Sequence, residues 1–528
     1  MVRSTFTGFS MAQLALGASQ KALDVTGQNI SNINTKGYTR QRLDQVSIAP
    51  QIAGNFSSPN DAKVGMGVMI TGVSQIRDPF LDRQYRTQLT KIGTADAIDS
   101  ILAEVSGVFD ESNKEAIKEQ MSEIVKQIDK LSQPGQSADD NMIRSSMAVL
   151  LNYMHQNAKE LEGVEKKLVD KMNDVHIKDI QLTLENISKL NKSIKSAQIL
   201  GDPALELKDQ RNVLLDDLST YFPIKIETPK VDLGGGVYYE HLRVTFEGDG
   251  ENVVLVDGDD IGEVSFTKQG DHQYTIEMQG LPAKAGDPKP AKKDVTAALK
   301  DGVLKGNMQL LNEQGRFDEP QISNSLCGLG YYEKTFDLFA NALAVEMNKL
   351  NGVEYNPDGT VVAGTEKNAL FTTDKGDVTG FTAANIMISE GWSNGSVKIK
   401  HAPDGAGSTA NENLLKMVGL LSDTKITVPY KDADGNEQEL KTSLFDLYAG
   451  LQNNVAIDKK SYEALLKNRQ TVAGQASDLR DSVVSVNLDE EVMNIMRYQQ
   501  SYSAASRMVT AFDQMLERLI TNTGVVGR

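Results

Sequence analysis

Five histidines, a single cysteine and a few glycine- or aspartate-rich turns are the places where this 528-residue chain could do chemistry. His155, His176, His241, His272 and His401 share no metal-ligand spacing, and two of them fall in a long predicted helix. They read as solvated or packing residues. Gly65-Met66-Gly67-Val68 begins like a dinucleotide fingerprint, but position 70 is Ile where the third glycine belongs. Gly234-Gly235-Gly236 lacks the following Lys-Ser/Thr of a phosphate loop and predicts a flexible hairpin. Asp432-Ala433-Asp434-Gly435 resembles a fragment of a calcium loop with its glycine two places early, and reads as a plain turn. Asp257-Gly258-Asp259-Asp260 reads as a solvated hairpin tip. Cys327, the lone cysteine, excludes an internal disulfide framework and reads as a buried small apolar residue. No nucleophile–base pair stands out, so the expectation is a non-enzyme without cofactor or metal.

The elements that would position such residues carry a stronger signal than the residues do. Phe9, Leu16, Leu23 and Ile30 fall seven apart near one end, and Leu488, Ile495, Tyr502, Val509 and Leu516 near the other. Companion positions three residues on are small in front (Ala12, Ser19, Thr26) and larger behind (Ala505, Phe512, Leu519). Such stripes mark helices that bury one seam against other helices. Asn32, Asn34 and Gly37 favour left-handed backbone and predict the end of the front helix. Asn487, followed by Asp489, Glu490 and Glu491, predicts a capped start for the rear helix. An earlier stripe, Leu465, Val472, Leu479 and Val486, is out of phase with the rear one and predicts a break near Asn487.

Between the ends, 36–77 reads as an extended segment with turn signals at Pro50, Gly54, Pro59, Gly65 and Gly67. Residues 78–221 read as a helical body: helices from about Pro79 to Gly107 and Asn113 to Ser132, a stop at Pro134-Gly135 and a fresh cap at Ser137 or Asp140. A very long helix over about 138–199 follows, with Met147, Met154, Leu161, Leu168, Val175 and Leu182 seven apart. Strand and turn signals make 222–320 a β-rich insertion and 353–440 a second one, separated by a helix at 329–352. Helical body at 441–486 and a rear arm at 487–528 complete the chain. The predicted fold class is therefore α+β and multidomain: a long helical bundle or coiled-coil frame built from both chain ends, with inserted β-rich domains.

Ser31-Asn32-Ile33-Asn34-Thr35-Lys36-Gly37-Tyr38-Thr39-Arg40 closely resembles the N-terminal signature of bacterial flagellar rod, hook and hook-associated axial proteins. Ser485-Val486-Asn487-Leu488-Asp489-Glu490-Glu491, continued by Arg497-Tyr498-Gln499-Gln500-Ser501-Tyr502, resembles the C-terminal signature of the hook-associated branch. Gly65 to Gln88 and Tyr331 to Gly352 agree with the same branch. The resemblance implies a structural subunit at the junction between hook and filament, assembling through its terminal arms. Implied assembly residues are Phe9, Leu16, Leu23, Ile30, Asn32, Asn34 and Gly37 in front. At the rear, Leu488, Ile495, Tyr502, Val509, Phe512, Leu516 and Leu519 would serve both assembly and an export chaperone. Implied partners are the hook protein, the second hook-associated junction protein, copies of the chain itself in a ring, that chaperone and the flagellar type III export apparatus. A hook or distal-rod subunit, or an axial subunit carrying a glycan-binding or enzymatic insertion, is the alternative.

Bulk composition fits an exported structural chain. The net charge of −17 argues against a nucleic-acid surface, which needs clustered Lys and Arg. Residues 1–90 hold nine Lys/Arg against five Asp/Glu, so the acid sits in the body. No stretch is long and apolar enough to predict membrane insertion. Met1 to Phe6 show neither apolar run nor small-residue cleavage site, so no Sec-type signal is expected. The family resemblance implies export to the extracellular flagellum without cleavage.

Overall fold

The computed structural model describes residues 5–48, 65–110, 117–133, 140–270, 272–282, 288–315, 327–356, 359–403, 410–422, 425–431 and 437–522. The turn signals at Pro50, Gly54, Pro59, Pro134-Gly135 and Ser137, and the turn at 432–435, lie outside them.

The front arm is α1 (Thr5–Ser31). Two antiparallel strands follow, β1 (Gln41–Ser47) and β2 (Val68–Gln75), with a bulge at Asp44/Gln45. Asp78 starts α2 (Pro79–Val108) by accepting the Phe80 N–H, and proline at the first helical position loses no hydrogen bond there. Next come α3 (Ile117–Ser132), α4 (Asp140–Lys171) and α5 (Lys178–Ile199). A π-helical turn at Met172–Ile177 joins α4 to α5 into one rod on the order of 90 Å long.

That turn changes which residues face the core. Met147, Met154, Leu161 and Leu168 are buried, and so are Ile180, Ile187 and Ile194, but Val175 and Leu182 are exposed. From Leu168 to Ile180 is one residue more than three α-helical turns require. The wider π turn absorbs it, so a seven-residue count carried past Leu168 lands on the wrong face.

Helix α6 (Leu205–Tyr221) packs on α5 and α2 and leads into short strands. These are β3 (Ile224–Glu227), β4 (Lys230–Asp232), β5 (Tyr238–Glu240), β6 (Arg243–Glu247), β7 (Asn252–Asp257), β8 (Asp260–Ile261), β9 (Glu263–Gly270), β10 (Gln273–Gln279) and β11 (Lys293–Asp294). They form an antiparallel sheet ordered β3-β6-β7-β8, a three-stranded sheet ordered β11-β10-β9, and the β4–β5 hairpin, whose three turn glycines all take positive φ. The strands alternate as a half-buried sheet must: Tyr274, Ile276 and Met278 point inward along β10. The turn at 257–260 is a hairpin tip, yet it is pinned. Ser188 and Asn191 of α5 donate to the Asp259 and Gly258 carbonyls at 2.6 and 2.7 Å.

The rest comprises α7 (Val303–Asn312), α8 (Leu329–Leu350), β12 (Phe371–Thr373), β13 (Ile386–Ile388), α9 (Glu390–Ser393), α10 (Glu412–Leu421), β14 (Ile426–Lys431), β15 (Glu437–Thr442), α11 (Leu444–Val484) and α12 (Leu488–Asn522). Residues 353–440 thus contribute two small two-stranded ladders and a ten-residue helix. They share one contiguous core with α2 to α8 and α11. Trp392 is fully buried; its indole N–H donates to Asp140 at 3.2 Å, and Arg144 donates to its carbonyl at 2.7 Å. His155 meets the Ile386 carbonyl at 2.7 Å, and His401 is exposed. Cys327 is half-buried in an isolated bridge with Gln314 rather than buried in the core, because it sits at the edge leading into α8.

Candidate functional site: the paired arms and their polar root

The sequence gives α1 a face of small residues, and that face meets α12. Gly8, Ala12, Ala18, Ser19, Ala22, Val25, Thr26 and Asn29 are buried. A Cβ at Gly8 would stand 2.7 Å from the Phe512 ring, so the ring is seated on bare backbone. Because small residues let the helix axes approach, the line of contact runs along the companion positions. Phe9, Leu16, Leu23 and Ile30 flank it and are half-buried rather than central. On α12, Ala505 is buried; Ile495, Val509, Phe512 and Leu516 are half-buried; Leu488, Tyr502 and Leu519 are exposed. Val492, Met493, Met496, Met508, Met515 and Ile520 are exposed as well. The pair thus closes on its small residues and keeps its large apolar side chains outside. The earlier stripe behaves likewise: Leu465, Val472 and Leu479 are exposed, while Ala473 and Ala476 bury the face of α11.

Both arms are rooted in one polar knot. Ser485 leaves α11 in extended conformation, and Asn487 caps α12 by accepting the Asp489 and Glu490 N–H groups at 2.9 and 3.3 Å. The carboxylate three residues on does not return to the cap. Glu490 takes the Arg40 guanidinium at 2.7 Å, and buried Glu491 takes it at 2.8 Å. The Arg40 N–H also donates to the Val484 carbonyl at 2.9 Å. One arginine therefore holds the bend between α11 and α12.

Around it, the Asn29 side chain exchanges two 2.9 Å hydrogen bonds with the backbone of Gln41, and the Tyr38 hydroxyl donates to Asn29 at 3.0 Å. The Thr39 N–H and hydroxyl donate to Asp209 on α6 at 3.0 and 2.5 Å. Arg77 holds Asp82, and Asp216 accepts from both Arg86 and Arg480 at 2.7 and 2.8 Å. Burial pushes the Asp209 carboxyl up to about 6, against the downward pull of Thr39 and Arg77. Burial, reinforced by Glu206, Asp209 and Glu491, raises the Tyr38 hydroxyl. Gly37 is left-handed (φ +79°), and a Cβ there would sit 2.3 Å from Val213. Asn32 and Asn34 do not share that conformation; Asn32 instead accepts the Thr35 hydroxyl at 3.1 Å in the turn after α1.

The expected residues on α1 and α12 thus lie along the arm pair and Asn32, Asn34 and Gly37 in the turn after α1, while Arg40, Asn29, Asp209 and Arg480, which tie the pair to the body, were not anticipated. Part of their signal was present: Arg40 closes the front signature and the Glu490-Glu491 pair stands in the rear one. The knot holds geometry, and the Thr39 hydroxyl that meets Asp209 is buried within it.

The model of the flagellar hook-associated protein FlgK helical domain matches residues 102–371. The flagella basal body rod protein model matches 10–39, and the basal body rod FlgEFG C-terminal model matches 483–522, the two segments that carry the arms. The chain is similar to flagellar hook-associated protein 1 of Bacillus subtilis (strain 168), 28% identical over 99% of this chain and 100% of that protein. It is similar to the Escherichia coli (strain K12) protein of the same name at 22%, over 96% and 98%. In fold it is similar to the flagellar hook junction protein FlgK from Burkholderia pseudomallei (TM-score 0.50, 12% identity, covering 76% of this chain and all of that one). Likeness along the whole length, and not in the arms alone, separates it from hook and rod subunits. The chain belongs to the flagellar hook-associated protein FlgK family, a family of flagellar structural proteins.

Proposed function

We propose that the chain is the subunit that joins hook to filament, and that the α1–α12 pair is the part that enters the axial tube. The observation that carries this reading is the rooted pair with its large apolar residues facing outward. A pair closed on small residues and still exposing Leu488, Val492, Met493, Met496, Met508, Met515 and Leu519 has unfinished packing. Further helices supplied by neighbours complete it. The neighbours are copies of the chain in a ring, the hook protein on one side and the second hook-associated junction protein on the other. The body, stiffened by the α4–α5 rod, bridges two polymers of different mechanics.

Before assembly the same surface needs cover, and an export chaperone binding α12 as a helix in a groove provides it. The chain then leaves through the flagellar type III apparatus without a cleaved signal and resides in the extracellular flagellum. Among the described residues no helix is long and apolar enough to cross a membrane. Electron microscopy of flagella from a strain lacking the gene tests the junction role. Hooks without filaments, with unassembled flagellin in the medium, are expected; normal filaments refute it.

A further inference from the structure

Spacing along the chain gives no metal site, yet folding brings three ligand-bearing side chains from distant segments together. Glu165 comes from α4, His272 from the turn between β9 and β10, and Glu333 from the first turns of α8. The His272 ring lies 3.5 Å from Glu165 through Nδ1 and 3.0 Å from Glu333 through Nε2. One ligand atom from each residue lies within 4.8 Å of the others. We propose that Glu165, His272 and Glu333 form a binding site for one divalent transition-metal ion of the zinc type, which pins the β9–β10 hairpin to the α4–α5 rod and to α8.

Several features show a seat built for the imidazole. His272 is buried and takes φ +48°, a left-handed conformation that a non-glycine residue adopts at a cost. Gly330 forms the floor: a Cβ there would approach the His272 ring to 3.2 Å. Tyr274, stacked on Phe266, donates its hydroxyl at 2.8 Å to the Glu165 oxygen that faces His272 and so fixes that carboxylate, as outer-shell groups do at metal centres. Glu165 is mostly buried and Glu333 half-exposed, so the site has a fixed wall, a movable ligand and a path for ion and water. One imidazole nitrogen with two carboxylates suits zinc better than calcium or magnesium, which favour all-oxygen shells. Water completes the coordination on the open side. An ion takes one imidazole nitrogen, while Glu165 faces Nδ1 and Glu333 faces Nε2, so the half-exposed Glu333 side chain must swing to the Nδ1 side for all three ligands to reach metal–ligand distances of roughly 2.0–2.2 Å.

A protonated His272 between two carboxylates would give similar distances, so the experiment must separate ion from proton. The full-length protein, stripped with chelator and returned to neutral buffer, is titrated with zinc by calorimetry. Cobalt serves as the spectroscopic probe, through its visible absorption when nitrogen and oxygen ligands replace water. Expected are one zinc per folded chain, a raised unfolding midpoint, no uptake at this site in His272→Gln, and affinity at least about tenfold weaker in Tyr274→Phe. Glu333→Gln, at a half-exposed position that should not disturb folding, keeps the test open if His272→Gln fails to fold; its uptake should fall on the order of tenfold or more. Absence of stoichiometric zinc uptake by the folded wild type, or uptake that Glu333→Gln leaves unchanged, overturns the site.

Discussion

Arg40 holds two carboxylates 450 residues away in sequence, and one of them, Glu491, is buried. Arg40→Ala leaves Glu491 in place without its cation. Because Arg40 is itself partly exposed, the cost is expected at roughly 2–3 kcal/mol, at or below the lower end for a broken buried pair. Amide exchange across Leu488–Ile495 should accelerate while the body remains protected; unchanged exchange there would remove the clasp from the account. His176 makes a different prediction. It lies buried in the π turn beside the Tyr221 ring, and neither ring nitrogen has a hydrogen-bond partner among the described residues. Burial, helped by the Lys171 charge, lowers its pKa from 6.5 to about 4. Between those values the unfolded chain binds a proton that the folded chain refuses, so stability falls as pH drops through that window. At about 1.4 kcal/mol per unit, His176→Phe should remove on the order of 3 kcal/mol of acid sensitivity. Urea titrations at pH 7 and pH 4 compare the two proteins, and equal losses would contradict it.

Most of the helices were readable because their signals are local: caps such as Asn487 and the stop near Gly37 act within one turn of the chain, and the seven-residue stripes repeat about every two turns. The phase of the long rod was also written there, in Ile187 and Ile194, which belong to a series with Ile180 and not to one with Val175 and Leu182. What that reading lacked was the extra residue between the two series, since a π turn has no composition of its own. The arm stripes show a different limit. Apolar spacing picked out Phe9, Leu16, Leu23 and Ile30, but which face closes first is decided by how nearly two backbones can approach, and Gly8, Ala12, Ser19 and Ala22 decide it. The polar root was harder to read for a third reason, because the pairs that tie the arms to the body, Thr39 with Asp209, Arg480 with Asp216 and Arg40 with Glu490 and Glu491, join residues 170 to 451 positions apart. The rod yields a test. Deleting exposed Asp174 takes one residue from the π turn and leaves a regular helix with Leu168 and Ile180 in phase, so melting by circular dichroism should stay near wild type. Deleting exposed Gln156 turns everything beyond it by about 100° and should unfold the body. Equal damage from both would reject this account of the turn.

In the whole molecule, frame and ornament are not separate. Residues 353–440 supply Phe371, Ile386, Trp392, Leu414 and Met417 to the common core, so removing them should unfold the body and not merely trim it. Trp392→Ala alone should cost about 3–5 kcal/mol, measured by denaturant unfolding. The arms behave otherwise. Ile495→Asp with Val509→Asp places charge on the half-buried flank of α12 and should abolish assembly in flagella while the body's melting transition persists. A swimming double variant would dissociate the arms from assembly. The Arg40 clasp also fixes an order of events. Its two halves lie at opposite ends of the chain, so closing it shuts a loop of nearly the whole polypeptide, a step whose entropic cost rises with loop length and which local contacts precede. A chain emerging front end first carries α1 and Arg40 for its entire passage with nothing to grip. The knot can tighten only when residues 484–491 arrive, so the front arm finds its mate last, and a closed root certifies that the chain has been delivered at least as far as Glu491.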